Sequence, residues 1–187
     1  MSYLLSDGWI ITMNPQREIL EQASLVIEGQ HIRAIGTRET LSLQYPEAEV
    51  IDCRQRIIIP GMVNTHTHLF QTLLKGLGDD TVLKKWVTCM TGPSAVALTE
   101  EDVYAAALHG CMESLRSGVT SLVDFMYAHP RPGLTAKVIE AFEVSGIRGH
   151  VCRGFLTTGA EHGIPEALIE TPEAALADAR DVIHRFH

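Results

Sequence analysis

The residues best suited to chemistry are two histidines, His66 and His68, separated by one threonine. Residues i and i+2 of a strand point to the same face of a sheet, so both imidazoles can reach one ion. A bound divalent ion lowers the pKa of its water to about 7, which provides a hydroxide nucleophile near neutral pH. Out of context, histidines satisfied by backbone carbonyls or solvent are the commoner interpretation of such a pair. The spacing therefore indicates part of a metal site. The flanking sequence has to decide between metal binding and a purely structural role for the two histidines.

The pair ends the segment IIIPGMVNTHTH at 57–68, a nearly continuous apolar run that predicts a strand buried on both faces. After Ile57, strands alternate with amphipathic helices, which predicts βα units around a parallel sheet. Further strands are expected at 119–125 and 147–155. In βα barrels, active sites are built at the carboxyl ends of the strands. The histidines lie at such an end, so their location agrees with their spacing.

The predicted fold class is α/β, an incomplete (β/α)8 barrel preceded by a small β domain. Residues 1–56 show short apolar stretches broken by turn residues, which predicts a β-meander. Residues 57–187 supply about three βα units, whereas a complete barrel takes about 250 residues. We expect a fragment, a cleaved chain, or a piece complemented by a missing C-terminal half or a second polypeptide. Such a partner would cover the open sheet edge.

Charge and composition exclude several classes of partner. The chain has 15 Lys+Arg against 23 Asp+Glu, a net charge of -8, and its basic residues are scattered. It therefore offers no positive surface for nucleic acid or an anionic membrane. No secretory signal or bilayer-length apolar run is present, and no C-x-x-C pair occurs among the four cysteines. We expect a cytoplasmic homo-oligomer with reduced thiols.

Four segments carry a resemblance to a known family. The run IIIPGMVNTHTHLFQTLLKG, with an apolar strand, Pro-Gly, Asn and the histidine pair in one frame, resembles the amidohydrolase superfamily. NTHTHLFQTLLKGLGDD followed by LKKW, LTEEDVYAAALHGCMESLRSGVTSLVDF, and GIRGHVCRGF are similar to its cytosine-deaminase-like branch. That branch includes adenosine-derivative deaminases and triazine hydrolases. The similarity runs from about Ser24 to the end of the chain.

The resemblance implies a TIM barrel, with residues 1–56 forming part of a small β-sandwich. It implies a metal-dependent hydrolase in which a metal-bound hydroxide deaminates an amino-substituted N-heterocycle. His66 and His68 would bind the divalent metal, by default Zn2+, with Fe2+ also compatible. The remaining catalytic residues of the family are expected beyond residue 187. Two alternatives stay open: a hydrolytic dechlorinase of a triazine-like ring, and a catalytically inactive fragment or binding module.

Three residues are candidates for contact with a small heterocyclic substrate. Trp86 matches a position where relatives place a Trp against the heterocycle, although it could equally cover the barrel mouth. The amide of Gln71 could read ring nitrogens, or cap the following helix. Arg153 could donate to an anionic or carbonyl-bearing substrate, or form a salt bridge within the barrel.

Three further positions refine these expectations. Nucleoside-deaminating relatives carry an acid after a proline to bind ribose hydroxyls, whereas this sequence reads Pro93-Ser94-Ala95. That departure favours a free heterocycle over a ribonucleoside. Asp124 could contact the metal ligands without binding the metal itself, although burial against a backbone or arginine partner is commoner for such an acid. His129, just after the second strand, is a further candidate for substrate contact.

Overall fold

The protein has a mixed α/β fold, seen in a computed structural model that describes residues 1–187. Two compact units are present, residues 1–60 and residues 61–187. The strands are β1 (Ser2–Ile11), β2 (Ile19–Glu28), β3 (His31–Gly36), β4 (Glu49–Asp52), β5 (Ile57–Ile58), β6 (Met62–Thr67), β7 (Val119–Met126) and β8 (Arg148–Arg153). The α-helices are α1 (Arg38–Gln44), α2 (Leu83–Trp86), α3 (Gly92–Ala97), α4 (Glu100–Arg116), α5 (Leu134–Ser145) and α6 (Pro172–Phe186).

The first unit is a five-stranded sheet in which β1, β2 and β3 form an antiparallel meander. The chain then turns into helix α1, which the strand pattern did not predict. The helix begins there because the Thr37 hydroxyl accepts a hydrogen bond from the Thr40 amide and caps the first turn. After this helix, β4 returns parallel to β1. The predicted meander is thus correct for three strands and incomplete after Gly36.

The apolar run before the histidines forms two strands rather than one. Ile57 and Ile58 pair with β1 of the first unit, whereas Met62 begins a strand of the second unit. The chain divides after Pro60, a residue that has no amide hydrogen for a sheet ladder. The single strand expected from 57 onward is therefore wrong.

The second unit is built on a parallel sheet with the order β6-β7-β8. Helices α4 and α5 connect the three strands, and their apolar stripes pack with β7 around one core that includes Val103, Val138 and Leu122. Helix α4 begins at a capping box, in which Thr99 and Asp102 bond each other's backbone amides. These are the βα units that the alternating pattern predicted.

The outer strand β6 is not buried on both faces. Met62 and Val63 are 46% and 64% exposed. Only one neighbouring strand, β7, flanks them, and an edge strand of a three-stranded sheet has less cover than the central strand of a larger one. None of the helices combines the length and apolar character needed to cross a bilayer.

Candidate metal centre

The two histidines lie side by side at the carboxyl end of β6. Their ring centres are 5.3 Å apart and the ring planes are inclined by 80°. His66 is exposed and His68 is partly buried. The structure therefore brings together the two residues that the spacing had paired.

A β-bulge lies at this end of the strand, which the sequence did not reveal. Asn64 is opposite Leu122 and Thr67 is opposite Asp124, so three steps along β6 match two along β7. Neither Thr65 nor His66 has a partner in the ladder with β7. Bulges commonly re-aim side chains next to functional sites.

Side-chain hydrogen bonds replace the missing ladder contacts. The Thr67 hydroxyl donates to the Val123 carbonyl at 3.1 Å, and Nδ1 of His68 lies 2.8 Å from the Phe125 carbonyl oxygen. A backbone carbonyl at Nδ1 requires a proton on that nitrogen, which leaves Nε2 with a free lone pair. His68 is therefore oriented with one nitrogen available to bind a metal.

The imidazole pair fits two ligands of a single ion. Two imidazoles that share one tetrahedral zinc have their ring centres about 5 Å apart, which matches the 5.3 Å observed. No group of three or more His, Cys, Asp or Glu side chains in the chain could hold a metal together. The chain thus offers two candidate ligands, fewer than the three protein ligands usual in a catalytic zinc site.

Asp124 lies behind the pair and is fully buried. Its Oδ1 accepts a 2.6 Å hydrogen bond from the Leu69 amide and lies 3.5 Å from the Thr67 hydroxyl, while its Oδ2 has no partner. Burial raises the pKa of Asp124 to about 7, against the lowering effect of these two donors. Asp124 and the two histidines do not form a group of three side chains that could hold a metal ion together.

Tyr127, just past the end of β7, connects His68 to Gln71 and was missed by sequence reasoning. Its ring meets the His68 ring edge to face, with centres 5.1 Å apart, and its hydroxyl oxygen accepts a 2.6 Å hydrogen bond from Nε2 of Gln71. Burial raises the pKa of Tyr127 to about 12, so the hydroxyl stays protonated at neutral pH. The only available signal was an aromatic residue following a predicted strand.

Gln71 and Trp86 line the same cavity, which has a volume of about 330 Å³. Its wall also includes Lys75, Asp79 and Met90. Gln71 lies in a 3-10 helix, Leu69–Leu74, which follows the histidine pair directly. Two of the three predicted substrate residues therefore share one pocket, and Tyr127 contacts both Gln71 of that pocket and His68.

Arg153, the third predicted substrate residue, is held in a buried ion-pair network. Its guanidinium donates to both oxygens of Glu170 and, through Nε, to Asp178 at 2.7 Å. The Arg153 side chain is only 7% exposed. The salt bridge weighed as the alternative is thus present, and a role in binding substrate stays a prediction.

His129 is also buried, with its Nε2 3.0 Å from the Met126 carbonyl oxygen. Burial lowers the pKa of His129, and the positive charge of Arg153 lowers it further. The imidazole is therefore neutral at physiological pH and bonded to the backbone. Contact between His129 and a substrate stays a prediction.

Residues 57–187 match the model of the amidohydrolase family, and the chain belongs to that family. It is 36% identical over 153 residues to a 5'-deoxyadenosine deaminase of Methanosarcina barkeri, covering 82% of this chain and 33% of the relative. It is 30% identical over 178 residues to a 5-methylthioadenosine/S-adenosylhomocysteine deaminase of Bacillus cereus, covering 95% of this chain and 38% of the relative.

Among solved structures, the chain is similar to a mutant of the atrazine chlorohydrolase of Arthrobacter aurescens, complexed with zinc and atraton. The TM-score is 0.87 at 25% identity, over 99% of this chain and 43% of that one. The Escherichia coli guanine deaminase shares the fold, with a TM-score of 0.80 at 22% identity, over 100% of this chain and 43% of that one. The chain thus spans between a third and a half of the length of these proteins.

Proposed function

We propose that this chain carries the first part of the active site of a metal-dependent hydrolase that deaminates an amino-substituted N-heterocycle. The observation that carries the proposal is the imidazole pair at the end of a parallel strand, His66 and His68, with ring centres 5.3 Å apart. A bound divalent ion supplies a water of lowered pKa, hence a nucleophile near neutral pH. Zinc is the first candidate, since one solved relative was crystallised with it.

The architecture proposed around this site is an incomplete (β/α)8 barrel. Strands β6, β7 and β8 and their helices would be its first three units, and residues 1–56 would be part of a β-sandwich. Two imidazoles are fewer ligands than a catalytic zinc site needs. We therefore propose that further ligands and the general acid-base groups come from a segment beyond residue 187 or from a complementing chain. Assembly as a homo-oligomer and a cytoplasmic location stay predictions.

Within the site, each residue of this chain would have a separate task. The Phe125 carbonyl fixes the His68 ring so that Nε2 is free to bind the ion. Trp86 and Gln71 line the cavity of about 330 Å³, where an indole ring and an amide suit a flat ring with polar edges. Its volume is within the range of small-molecule pockets.

A free heterocycle is favoured over a ribonucleoside by one departure in the sequence. Nucleoside-deaminating relatives carry an acid after a proline, whereas this chain reads Pro93-Ser94-Ala95. The segment therefore has no carboxylate to accept hydrogen bonds from ribose hydroxyls. Since two curated relatives are named as deaminases of adenosine derivatives, the assay has to include both kinds of substrate.

A second candidate function is hydrolytic dechlorination, supported by similarity to an atrazine chlorohydrolase. Ammonia in deamination and chloride in dechlorination both leave from the same kind of ring carbon. Release of ammonia and chloride from purines, pterins, triazines and 5'-deoxyadenosine by the chain with its complementing part separates the two reactions. Release of neither product would favour the remaining alternative, a catalytically inactive fragment or binding module.

The metal site is tested by elemental analysis of the purified wild type beside His66→Ala and His68→Ala. With the complementing part present, we expect a divalent metal in the wild type and its loss in both variants. His109→Ala, an exposed histidine on helix α4, is the matched control and should keep the metal. Unchanged metal content in both test variants would remove the basis of the proposal.

A further inference from the structure

Just after the bulged strand β6, the main-chain amide of Leu69 has an unusual hydrogen-bond partner. The Leu69 amide is the first of the 3-10 helix Leu69–Leu74, where no helical acceptor exists. It donates instead to Oδ1 of Asp124 at 2.6 Å. Its partner therefore comes from the neighbouring strand and not from its own helix.

Asp124 is well placed to act as a fixed acceptor. It lies on β7, the central strand of the sheet, and its side chain is fully buried. The regular ladder between β6 and β7 is interrupted between Asn64 and Thr67. The bond from Leu69 to Asp124 therefore fixes the backbone on the far side of the interruption.

We propose that Asp124 is a positioning residue for the metal-ligand pair. By holding the Leu69 amide, it fixes the backbone immediately after His68 and thereby the orientation of that ring toward His66. As regards metal binding, this role rests on the proposed function. The orientation of His68 is a property of the chain itself and can be measured without metal.

The role requires a hydrogen-bond acceptor rather than a charge. Only Oδ1 of Asp124 meets donors, whereas Oδ2 has no partner. Asparagine keeps the acceptor and the shape, so Asp124→Asn should preserve the positioning. Asp124→Ala removes the acceptor and leaves the Leu69 amide buried without a partner.

The matched control is Leu122→Ala. Leu122 lies two positions before Asp124 on the same strand and is 1% exposed, and its apolar side chain packs in the core without a hydrogen bond to the ligand segment. Its truncation lowers the stability of the sheet without removing a bond to the ligand segment. A difference between Asp124→Ala and Leu122→Ala therefore reports positioning and not general loss of stability.

The first measurement is titration of the chain with Zn2+ alone, followed by NMR. We expect Asp124→Ala to bind zinc at least about 10-fold more weakly than the wild type, and Asp124→Asn and Leu122→Ala to stay within about 3-fold. Wild-type affinity in folded Asp124→Ala would overturn the proposal. So would an Asp124→Asn as weak as Asp124→Ala.

The second measurement uses metal-free protein. The imidazole nitrogen signals of His68 should report a proton on Nδ1 in the wild type and in Asp124→Asn, and a tautomer mixture in Asp124→Ala. If Asp124→Ala does not fold, hydrogen exchange in the wild type decides, with the Leu69 amide expected to exchange at least about 100-fold more slowly than a free amide. Rapid exchange there would overturn the proposal. Absence of zinc binding in the wild type joined to its complementing part would instead overturn the proposed function, and the imidazole signals alone would then decide the role of Asp124.

Discussion

The guanidinium of Arg153 and the carboxylate of Glu170 form a buried two-bond ion pair. Nη1 lies 2.8 Å from Oε2 and Nη2 lies 2.5 Å from Oε1, and the two side chains are 7% and 13% exposed. Asp178 of helix α6 pairs with the remaining side of the guanidinium. The pair thus ties the carboxyl end of β8 to the segment that leads into α6.

Removing one member of this buried pair should lower the free energy of unfolding. Glu170→Gln leaves Arg153 with Asp178 as its only carboxylate, and we expect a loss of about 2 kcal/mol in the free energy of unfolding, measured by urea denaturation. Glu28→Gln is the control, because the pair of Glu28 with Arg33 is about half exposed and should contribute less than about 1 kcal/mol. Equal losses in the two variants would contradict the structural role assigned to Arg153.

The hydrogen bond between Gln71 and Tyr127 should appear as a coupling energy. Tyr127→Phe keeps the ring contact with His68 and removes the hydroxyl that accepts from Gln71. A double-mutant cycle of Tyr127→Phe with Gln71→Leu should give a coupling of about 1 kcal/mol in unfolding experiments.

The control cycle for that pair combines Gln71→Leu with Tyr104→Phe. Tyr104 lies on helix α4 and packs its ring against the same core. We expect a coupling near zero there. A zero value in both cycles would show that the bond between the amide and the phenol is absent in solution.

His129 should make the protein sensitive to acid. Its pKa lies below the ordinary value of 6.5 because of burial and the nearby charge of Arg153, against the raising effects of its bond to Met126 and of Glu170 and Asp178. As the pH falls below about 6.5, the unfolded chain takes up this proton before the folded chain does, so stability is lost.

Replacing this histidine should remove that part of the acid sensitivity. We expect His129→Gln, which can keep the bond to the Met126 carbonyl, to lose less unfolding free energy than the wild type between about pH 8 and pH 5.5. The exposed His31→Gln should behave like the wild type over the same range. If His129→Gln shows the wild-type pH dependence, the imidazole is not buried in its neutral form.

Gly110 on helix α4 allows the segment after the histidine pair to pack closely. A Cβ at this position would lie 2.6 Å from Cδ2 of Leu69 and 2.9 Å from Cγ2 of Thr72. Helix propensity alone would favour alanine by about 1 kcal/mol, whereas overpacking a buried site costs about 1–3 kcal/mol.

We therefore expect Gly110→Ala to be destabilised by about 1 kcal/mol, measured by thermal or urea unfolding. The partly buried Ser114→Ala on the same helix has no such contact and should be neutral or slightly stabilised. A stabilised Gly110→Ala would mean that Leu69 moves away freely, and the tight packing beside the ligand pair would be refuted.

Several features were predictable because they depend on local chemistry. The alternating pattern after Ile57 predicted the βα units, since apolar stripes and caps such as Thr99 act within a few residues. The pairing of His66 and His68 followed from the two-residue repeat of a strand. By contrast, helix α1 was missed, because one threonine cap within a polar stretch is a weak signal.

The sequence by itself determined which residues could bind a metal, which family the chain resembles, and that strands alternate with helices after Ile57. Only the tertiary structure decided how that pair is held. The bulge in β6, the bond from Leu69 to Asp124 and the contact of Tyr127 with His68 all join residues more than 50 positions apart. Such contacts depend on strand register and side-chain packing, which no local pattern encodes. For the same reason the sequence identifies Arg153 as a strong hydrogen-bond donor but not its partners. Only the tertiary structure brings it to Glu170, just before α6, and to Asp178 on that helix.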